Sequence, residues 1–250
     1  TYHSDEKNLK AGDFVEVPFG KNRAIGVVWD KLHETKKNIK IRTIQKKIDK
    51  FKISNKLIKF INIFSIYNIA PKGLVLKMTL GGKKNFTSII EDIKKNEIKK
   101  KKIFILNEDQ KKALEFLKKN GNNFNVSVLQ GVTGSGKTIV YFEKIKEIIK
   151  NNKQVLLLLP EIFLTNQFNQ RFRDYFGYFP HMWHSKISLK EKRKVWQGLI
   201  DNKIKVLIGA RSSLLLPFKD LGIIIVDEEH DQSYKQEEGI IYNARDMAIM

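Results

Sequence analysis

The sequence contains no cysteine, which excludes disulfide bonds and thiolate zinc sites within its 250 residues. It has no apolar run close to the ~18 residues that a membrane span needs, and no signal peptide is visible. We therefore expect a cytoplasmic protein without a membrane partner. With 42% hydrophobic residues, the chain can build one large or two modest domains.

Acidic side chains are also few, with 27 against 47 basic ones and a net charge of +20. Lysine supplies 40 of the basic residues, a skew that AT-rich coding would itself produce. Residues 1–130 carry 29 basic and 13 acidic side chains, whereas residues 131–250 carry 18 and 14. Because binding a phosphate backbone releases counterions, the basic first half predicts a polyanion partner, with a merely solvated lysine surface as the alternative.

A glycine-rich motif, GVTGSGKT, occupies residues 131–138. Its spacing lets backbone N–H groups surround phosphates, with Lys137 on the β and γ oxygens and the Thr138 hydroxyl on Mg²⁺. Residues 126–130 before it read as a buried strand, and an amphipathic helix is predicted after it. The predicted phosphate loop consists of Gly131, Val132, Thr133, Gly134, Ser135, Gly136, Lys137 and Thr138. The sequence therefore predicts a nucleotide site.

A second motif, IIIVDEEH, ends at His230. Its apolar run, residues 223–226, reads as a strand that stops abruptly at Asp227, Glu228 and Glu229. In a parallel α/β sheet, the acid that accompanies a phosphate loop lies at the carboxyl end of a strand. The two motifs therefore predict two halves of one site.

Residues 1–82 read as a small β-rich barrel or sandwich. A hairpin is predicted from residues 14–17 and 24–29, and a third strand from residues 39–48. A helix capped by Ser54 or Asn55 follows and is expected to end at Pro71 and Gly73, with a last strand over residues 74–80.

Residues 83–106 include an unbroken lysine run and predict a basic linker with one short helix. Residues 107–250 form the second predicted domain, which opens with a capping-box spacing between Asn107 and Gln110. Strands are predicted at residues 126–130, 155–159, 206–208 and 223–226, and helices after Gly136, Thr165 and Ser188. The fold class is therefore α/β, with a mostly parallel sheet between helices.

The motifs of the second domain resemble those of superfamily 2 helicases, and more narrowly those of the replication-restart helicase family. The matching blocks are GVTGSGKTIVY, LLLPEIFLTNQF, the segment from His184 to Trp196, GARSSLLLPF and LGIIIVDEEHDQSYKQEEGIIYNARDMA. The first domain resembles that family's amino-terminal domain, which binds DNA 3′ ends, through AGDFVEVPFGKNRAIGVV and IYNIAPKGLVL. The resemblance implies a RecA-like helicase lobe behind a β-rich DNA-binding domain.

The resemblance also implies ATP and Mg²⁺ as cofactors. Lys137 and Thr138 would hold phosphate and metal. Asp227 would bind the metal through water, and Glu228 would orient or deprotonate the attacking water. His230 would link this catalytic site to DNA.

Further residues match positions that contact nucleotide or DNA in the family. Gln110 matches an adenine-contacting glutamine, with helix capping as the alternative. Tyr234 and Tyr242 match an aromatic loop that senses single-stranded DNA, with internal packing as the alternative. Arg211 matches a DNA-backbone or coupling arginine, with a capping or ion-pair role as the alternative.

The resemblance places a 3′-end pocket near Tyr2, His3, Gly20 and Arg42. The family has Phe-Asp where Tyr2 and His3 stand, so the carboxylate expected to hold a terminal 3′ hydroxyl is missing. This departure predicts a reduced preference for free 3′ hydroxyl ends.

The function implied is that of a fragment of an ATP-dependent 3′-to-5′ DNA helicase that initiates replication restart at stalled forks. Forked and single-stranded DNA, other primosome proteins and single-stranded DNA-binding protein are the implied partners. Family members usually carry a winged helix between the two domains, for which the linker at residues 83–106 has no room. A second lobe with its arginine finger and a zinc domain would lie outside these residues. We therefore expect no unwinding by this segment alone. A fork-binding module with an inactive ATPase lobe and another superfamily 2 translocase are the alternatives.

Overall fold

The computed structural model describes residues 2–5, 8–30, 41–81, 102–119 and 123–250. The chain divides into two compact units, Thr1–Glu91 and Asp92–Met250. This division falls inside the predicted linker, residues 83–106. Most of that linker, including its predicted short helix, lies outside the described residues, and the predicted domain bounds stay predictions.

The described part of the first unit contains short strands followed by two helices. They are β1 (Tyr2–His3), β2 (Asp13–Phe19), β3 (Asn22–Val27), β4 (Arg42–Thr43), β5 (Lys46–Lys52), α1 (Asn55–Tyr67) and α2 (Lys72–Leu80). Strands β3, β2 and β5 form an antiparallel sheet in that order, which confirms the predicted hairpin. Strand β1 pairs in parallel with β4. The third strand predicted at residues 39–48 is found as two strands, β4 and β5. Strand β5 continues to Lys52, beyond the predicted end.

The two helices of this unit confirm one prediction and correct another. The Ser54 hydroxyl accepts a hydrogen bond from the Leu57 N–H at 3.2 Å, so Ser54 is the predicted cap of α1. The strand predicted over residues 74–80 is wrong, because these residues belong to α2. Val75 and Thr79, one helical turn apart, are both buried. The error arose because so short an apolar run fits a strand or a helix by its pattern alone.

The second unit alternates helices and strands. Its elements are α3 (Glu108–Lys119), α4 (Lys137–Lys150), β6 (Gln154–Leu158), α5 (Asn166–Phe176), β7 (His181–Trp183), α6 (Leu189–Ile200), β8 (Val206–Gly209), β9 (Leu221–Val226), β10 (Lys235–Gln236), β11 (Tyr242–Asn243) and α7 (Ala244–Ile249). Short 3-10 helices occupy Glu161–Phe163, Arg211–Leu215 and Gln232–Tyr234. Thr165 and Ser188 cap α5 and α6 as predicted.

Strands β7, β8, β6 and β9 form a parallel sheet in that order. This confirms the predicted α/β architecture, as a RecA-like lobe requires, and adds β7, which the sequence did not predict. Every residue of β6 is buried, as expected for the centre of a parallel sheet. The carboxyl ends of β6 and β9 lie side by side, because Leu158 pairs with Val226. The loops that follow these two strands therefore meet at one edge of the sheet.

The buried strand predicted at residues 126–130 is wrong. These residues form no strand, and Val126 and Val128 are 59% and 86% exposed. The alternating valines give strand propensity, but the backbone pairs with no neighbour in the described chain. Among described strands, β9 is therefore the last of the sheet, and β6 is its one neighbour.

The apolar core of the second unit fixes α4 on the sheet. Phe142 of α4 is fully buried and makes edge-on contacts with Phe168, Phe172 and Phe176 of α5. The helix that begins at the phosphate loop is thus held by aromatic packing. No helix in the described part of the chain is long and apolar enough to cross a membrane.

Candidate functional site

The phosphate loop turns sharply before α4. Gly134 and Gly136 have φ angles of +83° and +82°, a region that glycine adopts without the steric cost of a Cβ. A Cβ at Gly131 would lie 2.6 Å from Ser135 Oγ, so the loop is closely folded. Helix α4 begins at Lys137, and its free N–H groups and positive dipole end are directed to the loop. This geometry suits a bound phosphate.

Lys137 lies across the loop. Its Nζ donates a hydrogen bond to Gly131 O at 2.5 Å and lies 3.4 Å from Val132 O. The carbonyl groups of the loop therefore hold the ammonium charge beside the N-terminus of α4, where the motif predicts it.

Gln110 has the helix-capping role that the sequence offered as the alternative to adenine contact. Its Oε1 accepts from the Asn107 N–H at 3.0 Å, and its own N–H donates to Asn107 Oδ1 at 2.9 Å, which confirms the capping box. Its Nε2 also donates to Ser135 O at 2.9 Å. One side chain thus joins the start of α3 to the phosphate loop, while adenine contact stays a prediction.

Asp227 lies at the carboxyl end of β9, and Tyr141 of α4 connects it to the phosphate-loop helix. The Tyr141 hydroxyl donates to Asp227 Oδ2 at 2.9 Å, and Tyr141 lies three residues after Thr138 on α4. Burial, followed by the negative charge of Asp227, raises the pKa of Tyr141 well above its usual value, so the hydroxyl stays protonated. The structure therefore brings the two predicted halves of the site together.

The backbone around Asp227 is also fixed. Its Oδ1 accepts from the Glu228 N–H at 3.1 Å. The Tyr234 hydroxyl donates to Asp227 O at 2.5 Å and to Leu158 O at 3.0 Å, which ties the ends of β9 and β6 together.

The next two acids have different environments. Glu228 has φ +50°, a left-handed conformation that is uncommon for residues other than glycine and concentrates at functional sites. His230 Nε2 lies 3.8 Å from Glu228 Oε2, and the side chain of His230 is 77% exposed. Glu229 instead forms an ion pair with Arg245 at 2.9 Å. The backbone conformation therefore constrains Glu228, whereas the ion pair with Arg245 constrains the side chain of Glu229.

The oxygen donors of the site fit Mg²⁺. This ion prefers hard oxygen ligands and in nucleotide sites uses one or two protein groups together with phosphate oxygens. Thr138 and Asp227 offer a hydroxyl and a carboxylate, and Tyr141 of the Thr138 helix donates to the carboxylate. No cluster of three or more His, Asp or Glu suited to a metal occurs among the residues that the structure describes.

Tyr234 and Tyr242 are placed differently from the expectation. Their exposed fractions are 1% and 2%, so both rings are inside the lobe and a base cannot stack on either in this conformation. Burial raises the pKa of Tyr242 to about 12. The alternative of internal packing is therefore the one observed.

Arg211 makes its contacts within the lobe. Its guanidinium donates to Ser233 O and Lys235 O, both at 2.9 Å. It thus fastens the turn after the acid motif to the start of the 3-10 helix after β8. This contact agrees with a coupling role, whereas DNA contact by Arg211 stays a prediction.

In the first unit, the four predicted pocket residues converge. Strand pairing sets Tyr2 opposite Arg42. The Tyr2 hydroxyl donates to Pro18 O at 3.0 Å, and Arg42 donates to Gly20 O at 2.9 Å. His3, next to Tyr2, lies 3.3 Å from Asp5. The β2–β3 hairpin and the β1–β4 pair thereby form one candidate DNA-end site.

Sequence reasoning missed three residues of these sites. Tyr141 is three positions after Thr138, and this spacing on a helix was a usable signal because such residues share a face. Arg245 follows the acid motif but gives no local signal of pairing with Glu229. Asp5 supplies a carboxylate two residues after His3, although the family pattern is altered there.

Comparison with known protein families agrees with both units. Residues 107–249 match the DEAD/DEAH box helicase profile, and residues 1–81 match the profile described as a 3′ DNA-binding domain. A parallel sheet, a phosphate loop and an acid at the carboxyl end of β9 define the second unit as a helicase-type NTPase lobe. The chain belongs to the DEAD/DEAH box helicase family and, within it, to the group of replication restart protein PriA.

Relatives named replication restart protein PriA are similar over most of the chain. The protein of Rickettsia conorii is 40% identical over 98% of the chain, and that of Helicobacter pylori strain J99 is 35% identical over 100% of it. The Bacillus subtilis protein is 35% identical over 74% of the chain. The chain spans only 37% and 38% of the length of the first two relatives.

Proposed function

We propose that this chain is the ATP-binding and DNA-end-binding part of a 3′-to-5′ DNA helicase that restarts replication at stalled forks. The observation that carries the proposal is the hydrogen bond to Asp227 from Tyr141, which lies on the helix that begins at the phosphate loop, because it joins the two nucleotide motifs into one site. Phosphoryl transfer depends mainly on positioning and on neutralising developing charge, and these residues supply both.

Each group of the site has a separate role in this proposal. Lys137 and the N–H groups of the loop neutralise the phosphates. Thr138 and Asp227 hold Mg²⁺, which neutralises charge on the phosphate oxygens when it is bound. Glu228 orients or deprotonates the attacking water, and its left-handed backbone sets the direction of its side chain. His230, exposed beside Glu228, connects hydrolysis to DNA.

Forked and single-stranded DNA are the proposed partners. The first unit supplies the end-binding pocket around Tyr2, His3, Gly20 and Arg42, and the excess lysines of residues 1–130 attract the phosphate backbone. Contacts with other primosome proteins and single-stranded DNA-binding protein belong to the same proposal. The segment alone is still expected not to unwind DNA.

Two variants of the full-length protein test the ATPase assignment. Lys137→Ala should abolish or weaken ATP binding, because it removes the charge at the β and γ oxygens. Glu228→Gln should bind ATP and hydrolyse it at least a hundredfold more slowly, in line with the roughly 10²–10³ that one electrostatic group contributes. Nucleotide binding, DNA-stimulated phosphate release and fork unwinding are measured together.

Lys146→Ala is the matched control, since Lys146 lies on the same helix and contacts only Glu143, at 3.5 Å, among the described contacts. Normal hydrolysis in Glu228→Gln would contradict its role. Fork binding that is equal with and without ATP, together with no hydrolysis by the wild type, would instead identify an inactive ATPase lobe. Preference for RNA over DNA would indicate another superfamily 2 translocase.

A further inference from the structure

The Asp227 carboxylate is held by donors on both oxygens. Oδ2 accepts from Tyr141 at 2.9 Å, and Oδ1 accepts from the Glu228 N–H at 3.1 Å. Each carboxylate oxygen can accept a second hydrogen bond, so these two donors fix the group without exhausting it. The orientation of Asp227 therefore depends on a side chain from another element, α4.

Tyr141 is itself rigidly placed. The residue is 6% exposed, belongs to the aromatic core of the second unit, and its ring makes an edge-on contact with Phe142. Its position three residues after Thr138 places both on one face of α4. The hydroxyl is thus delivered by a packed ring to the point where the two nucleotide motifs meet.

We propose that Tyr141 is a positioning residue for the nucleotide site: its hydroxyl holds the Asp227 carboxylate in the orientation that magnesium binding needs. The inference rests on the proposed function. In this role Tyr141 acts through Asp227, whose carboxylate it orients. A group of this kind, one step removed from a metal, commonly contributes 10–100-fold to metal affinity or activity.

Tyr141→Phe in the full-length protein tests this inference, because it removes one oxygen and keeps the ring. Mn²⁺ replaces Mg²⁺ as a paramagnetic probe, and its binding with ADP is followed by electron paramagnetic resonance. We expect about tenfold weaker Mn²⁺ binding and a similar rise in the Mg²⁺ concentration that half-saturates ATP hydrolysis. Binding of a fluorescent ATP analogue in EDTA should be unchanged.

Tyr175→Phe is the matched control. Tyr175 lies in the same aromatic core and its hydroxyl bonds to Glu143 of α4, so its variant also removes a buried hydroxyl that contacts this helix. It should melt at a lower temperature and keep the wild-type Mn²⁺ affinity. The magnesium-free nucleotide titration counts folded sites, so a partly unfolded Tyr141→Phe sample is corrected for its folded fraction.

The outcomes separate the inference from the function on which it rests. Wild-type Mn²⁺ affinity and Mg²⁺ dependence in Tyr141→Phe, with hydrolysis that still requires Lys137, would overturn the positioning role alone. Equal losses in Tyr141→Phe and Tyr175→Phe would also overturn it, because they would reflect general packing. A wild-type protein without Lys137-dependent hydrolysis would overturn the proposed function and the inference with it.

Discussion

Tyr234→Phe separates two roles of the tyrosine that follows the acid motif. If the ring stacks on DNA bases, phenylalanine keeps that surface, and DNA stimulation of ATP hydrolysis survives. If the hydroxyl holds the end of β9, the same change removes its contacts with Asp227 O and Leu158 O and lowers hydrolysis with or without DNA. The burial of the ring and the two hydroxyl contacts favour the second result.

The size of the destabilisation follows from the hydrogen bonds that the carbonyl groups of Leu158 and Asp227 lose. Leu158 O also accepts from the Asp227 N–H at 3.1 Å, so it keeps one donor when the hydroxyl is removed. Asp227 O loses the 2.5 Å contact from Tyr234. One such hydrogen bond contributes about 0.5–1.5 kcal/mol, and an unsatisfied buried acceptor costs about 1–3 kcal/mol. We expect about 1–2 kcal/mol of destabilisation, or roughly 2–8 °C in melting temperature for a unit of this size.

The assay uses the full-length protein and measures melting temperature and phosphate release with and without single-stranded DNA. Tyr234→Phe should lower both rates by a similar factor and leave their ratio unchanged. Tyr178→Phe, which removes the hydroxyl of a ring that packs edge-on against Phe172, serves as control. A Tyr234→Phe protein with wild-type stability and rates, beside a Tyr234→Leu protein that loses only DNA stimulation, would refute the reasoning.

Asp13 should make the first unit sensitive to acid: burial opposes its charge, but the Lys10 N–H and the ammonium groups of Lys47 and Lys52 lower the pKa of Asp13 below its usual value. The stabilisation by ionised Asp13 is therefore present above the unfolded pKa of about 4 and is lost as pH falls through the folded pKa. Asp13→Asn should lower the melting temperature at pH 7 and narrow the difference in melting temperature between pH 7 and pH 3. An unchanged difference in melting temperature between pH 7 and pH 3 would contradict this role of Asp13. The affinity for forked DNA, measured by fluorescence anisotropy, should fall steeply as the salt concentration rises. An affinity that does not change with salt would indicate that coding bias, and not DNA binding, explains the excess of lysines. His3→Asp should increase the preference for a 3′ hydroxyl over a 3′ phosphate in competition binding, whereas a strong wild-type preference would assign the contact to another group.

The sequence predicted best what short-range contacts decide. The caps at Ser54, Asn107 and Ser188 are bonds between a side chain and a backbone group three residues away, so their spacing alone specifies them. The parallel sheet followed from the alternation of strands and helices. The errors at residues 74–80 and 126–130 concern short apolar runs, where a distant partner decides between strand, helix and extended backbone.

The candidate site shows the same division. Both nucleotide motifs were predictable, and the bond from Tyr141 to Asp227 agrees with the expectation that they form one site. The direction of the Tyr234 ring was not predictable, because an aromatic residue among polar neighbours suits either a DNA surface or a buried contact. Its hydroxyl bonds both to Asp227 O nearby and to Leu158 O at the end of β6, which is distant along the chain.

The left-handed backbone at Glu228 has a consequence for laboratory evolution. A residue with a Cβ in this region costs about 1–2 kcal/mol relative to glycine, so Glu228→Gly should make the lobe more heat-resistant. The same change removes the carboxylate assigned to the attacking water. A screen for thermostable variants that does not also select for turnover would therefore enrich inactive enzymes at this position. The proposed role of Glu228 accounts for a glutamate at this uncommon backbone angle.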